Sequence, residues 1–180
     1  MTLEQLVIGL IRVAGSLPVL RWAFAGALIA VVVDFSDLFW MNALKLGGLG
    51  NYQAFDKWLD LVYMVTFLWV ALRWSGLAKN VAVGLFAFRM IGFITFEISQ
   101  ARPVLLAFPN VFEFWFIFVA ALNHYWPNYV LNRDRVIFWL VVLTALKLGQ
   151  EWVLHGGQYL DDFTFFDAMN TLWDWITFWE

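Results

Sequence analysis

Cysteine is absent from this chain, so no disulfide, thiolate metal site or thiol nucleophile can form, and the redox compartment leaves no mark. Histidine is almost absent. His124 and His155 are the only two, which leaves a single pair for a bis-histidine haem and all but removes that class. Charge is scarce: Asp, Glu, Lys and Arg make up 14% of 180 residues, against about a quarter in a soluble domain. The net charge of −3 provides no basic field to recruit nucleic acid, which is not an expected partner. Met1-Thr2-Leu3-Glu4-Gln5 lacks the basic start and cleavage site of a secretory signal, so the N-terminus is expected to stay in the mature protein. A Gly-rich phosphate loop, a Ser-His-Asp set and an HExxH motif are missing too.

What fills the space is apolar and aromatic. Hydrophobic residues account for 63% of the chain, which has 19 Phe and 12 Trp and a mean hydropathy of +0.73. A bilayer is the expected solvent, with rings packed between helices and at the headgroup level, where an indole stays apolar and still uses its N–H.

Leu3, Leu6, Val7, Leu10, Ile11, Ala14 and Leu17 recur at three- and four-residue spacing, with Glu4 and Arg12 elsewhere on the wheel. Residues 1–17 therefore read as an interfacial helix. Trp22 to Val33 is free of charge but too short to cross a core of about 30 Å, so the span must run on past Asp34. The same reasoning places spans near 19–42, 54–74, 81–98, 104–123 and 136–154. Gly47-Gly48-Leu49-Gly50-Asn51 and Ala101-Arg102-Pro103 punctuate them. The expected architecture is all-α: one transmembrane domain over 1–180, with a five-span bundle at 19–154. Residues 156–180 read as an aromatic amphipathic surface segment.

With five spans, Arg12, Arg21, Arg73, Lys79, Arg133 and Arg135 fall on one side, leaving mainly Lys45, Lys57 and Arg102 opposite. The positive-inside rule then puts the N-terminus in the cytoplasm.

Asp34 and Asp37 are three apart, and Asp56 and Asp60 four apart, so each pair shares a helix face. A short Gly-rich connection makes the two helices antiparallel neighbours and gathers the four carboxylates at one end. They repel one another unless some are protonated, Lys45 or Lys57 compensates, or a hard cation such as Mg²⁺, Mn²⁺ or Ca²⁺ sits among them. This Asp34-x2-Asp37 and Asp56-x3-Asp60 pattern resembles the acidic motif of the CDP-alcohol phosphotransferases, D-x2-D-G-x2-A-R-x8 or x9-G-x3-D-x3-D, in its longer spacing. The resemblance implies that the four aspartates bind a divalent metal and activate an acceptor alcohol. Leu38, Met41, Asn42 and Tyr52 stand where that family has Gly, Ala, Arg and Gly.

A second set of ionisable groups lies inside the spans. Lys147, Glu151 and His155 recur every fourth residue and line one face, as an ion-paired strip or a relay. Arg89 needs a partner, for which Glu97 or Glu113 is available. Pro109 frees a backbone carbonyl early in the fourth span, either to line a cavity or to mark a kinked helix start. The leading expectation is a non-enzymatic integral membrane component, homo-oligomeric or a subunit of a larger membrane complex. The alternatives are a metal-dependent lipid enzyme using the aspartates and an ion or proton conductor using Arg89, Glu113, Lys147 and Glu151.

Overall fold

The structure, a computed structural model, describes residues 3–36, 52–99, 104 and 107–151, without the side chains of residues 4, 52–57 and 151. Every regular element among them is helical: α1 (Leu3–Ser16), a 3-10 turn (Leu17–Leu20), α2 (Ala23–Phe35), α3 (Tyr52–Ala71), α4 (Gly76–Ser99), α5 (Val111–Tyr125) and α6 (Arg133–Glu151). The all-α expectation holds. Two of the boundaries that differ from the sequence reading fall at a proline. Pro18 opens the 3-10 turn and the chain leaves helical geometry at Trp22, so the segment expected from residue 19 becomes a helix only at Ala23. The segment expected from residue 104 yields α5 only at Val111, because Pro109 has no N–H to offer and Asn110 is non-helical.

Neighbouring contacts fix the helix directions. Gly15 packs on Val33 and Gly26 on Pro18 and Val19, which makes α1 and α2 an antiparallel hairpin. Gly9 lies beside Leu59 while Arg12 reaches Asp60, so α1 runs parallel to α3. Tyr63 meets Glu113 and Phe67 stacks on Phe116, so α3 runs parallel to α5. Gly92 packs on Phe108, Phe86 on Phe112, and the Trp115 indole donates to the Ala78 carbonyl, so α4 is antiparallel to α5. Lys147 pairs with Glu113 and Trp139 packs on Phe118, so α6 is antiparallel as well. The connections at residues 21–22, 72–75 and 126–132 therefore share one end of an up-and-down bundle.

The core is aromatic and centred on α5, whose Phe112, Trp115 and Phe116 are fully buried with Phe67 and Met64 of α3. Phe116 is sandwiched between Phe67, with ring centroids 4.2 Å apart, and Trp74, at 5.1 Å. Burying rings of this size dominates packing energetics, and the offset and edge-on pairs add to it.

The outside is apolar too. Helix α4 is the one described helix long and apolar enough to cross a membrane by length and composition, and only 17% of its apolar window is buried in the protein. Ile91, Ile94 and Ile98 project from it, Ile98 at 82% exposure. On α1 the arrangement runs against the usual amphipathic rule. Leu3, Leu6, Leu10, Val13 and Leu17 are exposed, whereas Ile8, Arg12, Gly15 and Ser16 form the buried face. The helix read as interfacial from its leucine stripe thus packs along α2 and α3 through its other face.

Candidate functional site

Arg12 is 5% exposed, and its guanidinium lies between two carboxylates. Nη1 pairs with Asp34 of α2 and donates to Oδ1 of Asp60 on α3 at 3.0 Å. Helix register explains the meeting. In the α1–α2 hairpin Arg12 comes level with the last turn of α2, and its buried neighbours Gly15 and Ser16 are small enough to let the helices approach.

One turn further along α3, Tyr63 enters a second cluster. Its hydroxyl donates to Oε2 of Glu113 at 3.4 Å and accepts from Nδ2 of Asn110 at 3.0 Å. Asn110 Nδ2 also lies 3.3 Å from Glu113 Oε2. From the far side Lys147 of α6 brings Nζ to 3.6 Å of the same carboxylate oxygen and donates to Gln150 Oε1 at 2.8 Å. The ammonium also faces the Phe114 ring, 5.2 Å from its centroid. Lys147 and Glu113 are both buried, so each supplies the charge that makes the other tolerable. Asn110 Oδ1 is buried and has no hydrogen-bond donor among the described residues.

Arg89 completes the set from α4. Its Nη1 donates to the Phe108 carbonyl at 2.7 Å, rather than to the acid expected for it. The break around Pro109 leaves that carbonyl outside the helical ladder, and Phe108 is held in place by Phe88 and by its close approach to Gly92. Glu113 turns instead to Lys147, Tyr63 and Asn110, while Glu97 lies half-buried further along α4.

All six helices thus contribute a charged group: Arg12, Asp34, Asp60, Arg89, Glu113 and Lys147. Counted by helical rise from the end with the three connections, they lie about 14 to 21 Å deep. They form one layer. Among the described residues three cations balance three anions there.

Of the four aspartates expected to gather, the structure brings together Asp34 and Asp60. Asp37 lies outside the described residues, as does the side chain of Asp56. Among the described side chains Arg12 compensates the two, while Lys45 and the Lys57 side chain, named with a cation as alternatives from the sequence, lie outside the described residues. No group of three or more His, Asp or Glu suited to a metal occurs among the described residues. Lys147 is the described member of the expected Lys147, Glu151 and His155 strip. His155 and the Glu151 side chain fall outside the description, as do residues 156–180.

Sequence reasoning missed Arg12 as an internal group, together with Tyr63 and Gln150. A signal for Arg12 existed in its alignment with Ile8, Gly15 and Ser16 on a face of mostly small residues. Compared with protein families, curated sequences and solved structures, the chain matches none.

Proposed function

We propose that the protein is a non-enzymatic integral membrane component, a polytopic helical bundle that works as an oligomer or as a subunit of a larger membrane complex. The observation that carries this reading is the inversion of polarity within the bundle: many leucines and isoleucines point outward while Arg12, Glu113 and Lys147 are buried. A monomer in water rarely exposes large contiguous apolar surface. In lipid the outward face costs nothing, whereas charges must turn inward and pair, as Arg12 and Lys147 do.

Under this reading α1 crosses the membrane. With the 3-10 turn it rises about 29 Å, matching a hydrocarbon core of about 30 Å. The N-terminus then lies opposite the basic connections, and the positive-inside rule assigns those connections to the cytoplasm. The later spans keep the orientation read from the sequence and the N-terminus alone changes side, because α1 adds a crossing.

The test is fractionation followed by labelling. The full chain is expected to stay in the membrane pellet after an alkaline carbonate wash and to need detergent for release. Recovery in the aqueous fraction would overturn the reading. Because the chain has no cysteine, single cysteines at Arg73 and Arg133 should resist a membrane-impermeant thiol reagent in intact cells, while Lys45→Cys should react.

A second reading rests on the Asn110 amide oxygen. A buried acceptor without a donor, beside a Tyr–Glu–Lys cluster, suits a bound water and hence proton passage. Proton flux into vesicles that is abolished by Glu113→Gln would favour it over the structural role. The metal-dependent lipid enzyme gains no comparable support, since a guanidinium joins the two described aspartates.

A further inference from the structure

Basic residues outside the polar layer collect at one end of the bundle. Residues 20–22, 72–79 and 123–135 hold Arg21, Arg73, Lys79, Arg133 and Arg135 against one acid, Asp134. Of the chain's 11 cations and 14 acids, that leaves six cations against thirteen acids elsewhere. The helix directions bring these three separate stretches of chain together. Arg21, Arg73, Arg133 and Arg135 are exposed, and Lys79 is half-buried.

Aromatic side chains accompany the cations. Trp22, Tyr125 and Trp126 are each more than half exposed. Arg21 lies 5.5 Å from the Trp22 ring centroid, and Arg135 lies 4.7 Å from that of Tyr129. Phe24 joins the rim to the bundle by packing on Tyr125, 5.5 Å between centroids. Arg135 is further anchored by its bond to the Val130 carbonyl at 2.9 Å. At the same end Leu20, Leu72, Leu77 and Ile137 are exposed. Cations, amphipathic rings and aliphatic side chains thus share this end of the bundle, and a leaflet offers each a partner in phosphate, glycerol region and acyl chain.

We infer that this end is a binding surface for the headgroups of anionic phospholipids, with the arginines and Lys79 pairing with phosphate and the exposed rings fixing depth. The inference rests on the membrane reading and adds a preference among lipids that the reading does not require. A soluble anion or an acidic protein would match the cations but would leave the exposed tryptophan and tyrosine rings, and the aliphatic side chains beside them, facing water. Arginine suits phosphate because its planar fork donates two hydrogen bonds at once. Asp134 is the acid on the surface itself, and its removal should strengthen the preference.

The test reconstitutes the full chain into phosphatidylcholine vesicles carrying a trace of spin-labelled phosphatidylglycerol or spin-labelled phosphatidylcholine. The motionally restricted fraction of each label is then read. The wild type should restrict phosphatidylglycerol about five-fold more than phosphatidylcholine, the effect of roughly one well-engaged cation. The triple variant Arg73→Gln, Lys79→Gln, Arg133→Gln should approach parity, and Asp134→Asn should exceed the wild type. Equal restriction in the wild type, or an undiminished preference in the triple variant, would overturn the inference while leaving the membrane reading intact. Restriction of neither label would instead sink the membrane reading, and this inference with it. Should the triple variant fail to reconstitute, the wild type in about 1 M salt decides, since screening must erase a headgroup preference of this origin; a preference that persists there overturns it.

Discussion

Helices α4 and α5 lie side by side and make opposite use of hydrophobic sequence. Helix α4 is the longer and satisfies the length and composition of a membrane span, yet it buries little beyond Ala82, Gly92 and Phe96. Helix α5 is shorter, carries Glu113 in its first turn, and buries eight residues including Trp115 and Phe116. Here the longer helix, which carries Arg89 and Glu97, lies outside, and the centre belongs to the helix whose buried Glu113 pairs with Lys147. In a bilayer, as proposed, the outer helix needs no cover. Several measurements press on that contrast.

The largest effect should come from Glu113. Glu113→Ala removes the described counter-charge of buried Lys147 and should cost about 3–5 kcal/mol in unfolding from detergent micelles. The double variant Glu113→Leu, Lys147→Met should recover most of it; if both variants lose equal stability, the charge pair is not what the centre depends on. Trp115→Ala should follow at about 3–4 kcal/mol, from lost packing and the lost indole bond to the Ala78 carbonyl. On the outer helix the same chemistry should read differently. Ile94→Asp should impair insertion by about 2.5–3.5 kcal/mol in a translocon assay, while hardly changing the stability of protein already folded in detergent. Gly92→Ala should cost about 1–3 kcal/mol, because the new methyl meets the Phe108 side chain. Smallest of all, Ile91→Ala should stay within about 0.5 kcal/mol; a loss like that of Trp115→Ala would mean that α4 is packed against something after all.

The helices were legible because apolar periodicity and breaks are local. Tyr52–Ala71, Gly76–Ser99 and Arg133–Glu151 fall close to the segments expected at 54–74, 81–98 and 136–154. Local reading failed where a face had to be assigned. The leucine stripe of α1 suggested a helix resting on a surface, but a stripe of leucines shows only which side is apolar and is silent about whether water or lipid lies beyond it. Asp34 and Asp60 were legible as neighbours, since a short connection between their helices implies it. Arg12 was not, because its place depends on how α1 folds back. Arg89 was paired with an acid from charge alone, whereas a backbone carbonyl released near Pro109 satisfied it at shorter reach.

Gly26 lies against the backbone of Pro18 and Val19, where an added Cβ would come within 2.3 Å of the Val19 nitrogen. The residue carries no charge and touches none of the ionised groups, yet it sets the gap of the α1–α2 hairpin. A methyl there acts as a wedge at the pivot of a pair of tongs, and the jaws that open are Arg12 and Asp34. The missing side chain at position 26 thus holds a distant ion pair closed, and Gly26→Ala should weaken that pair without altering either of its members.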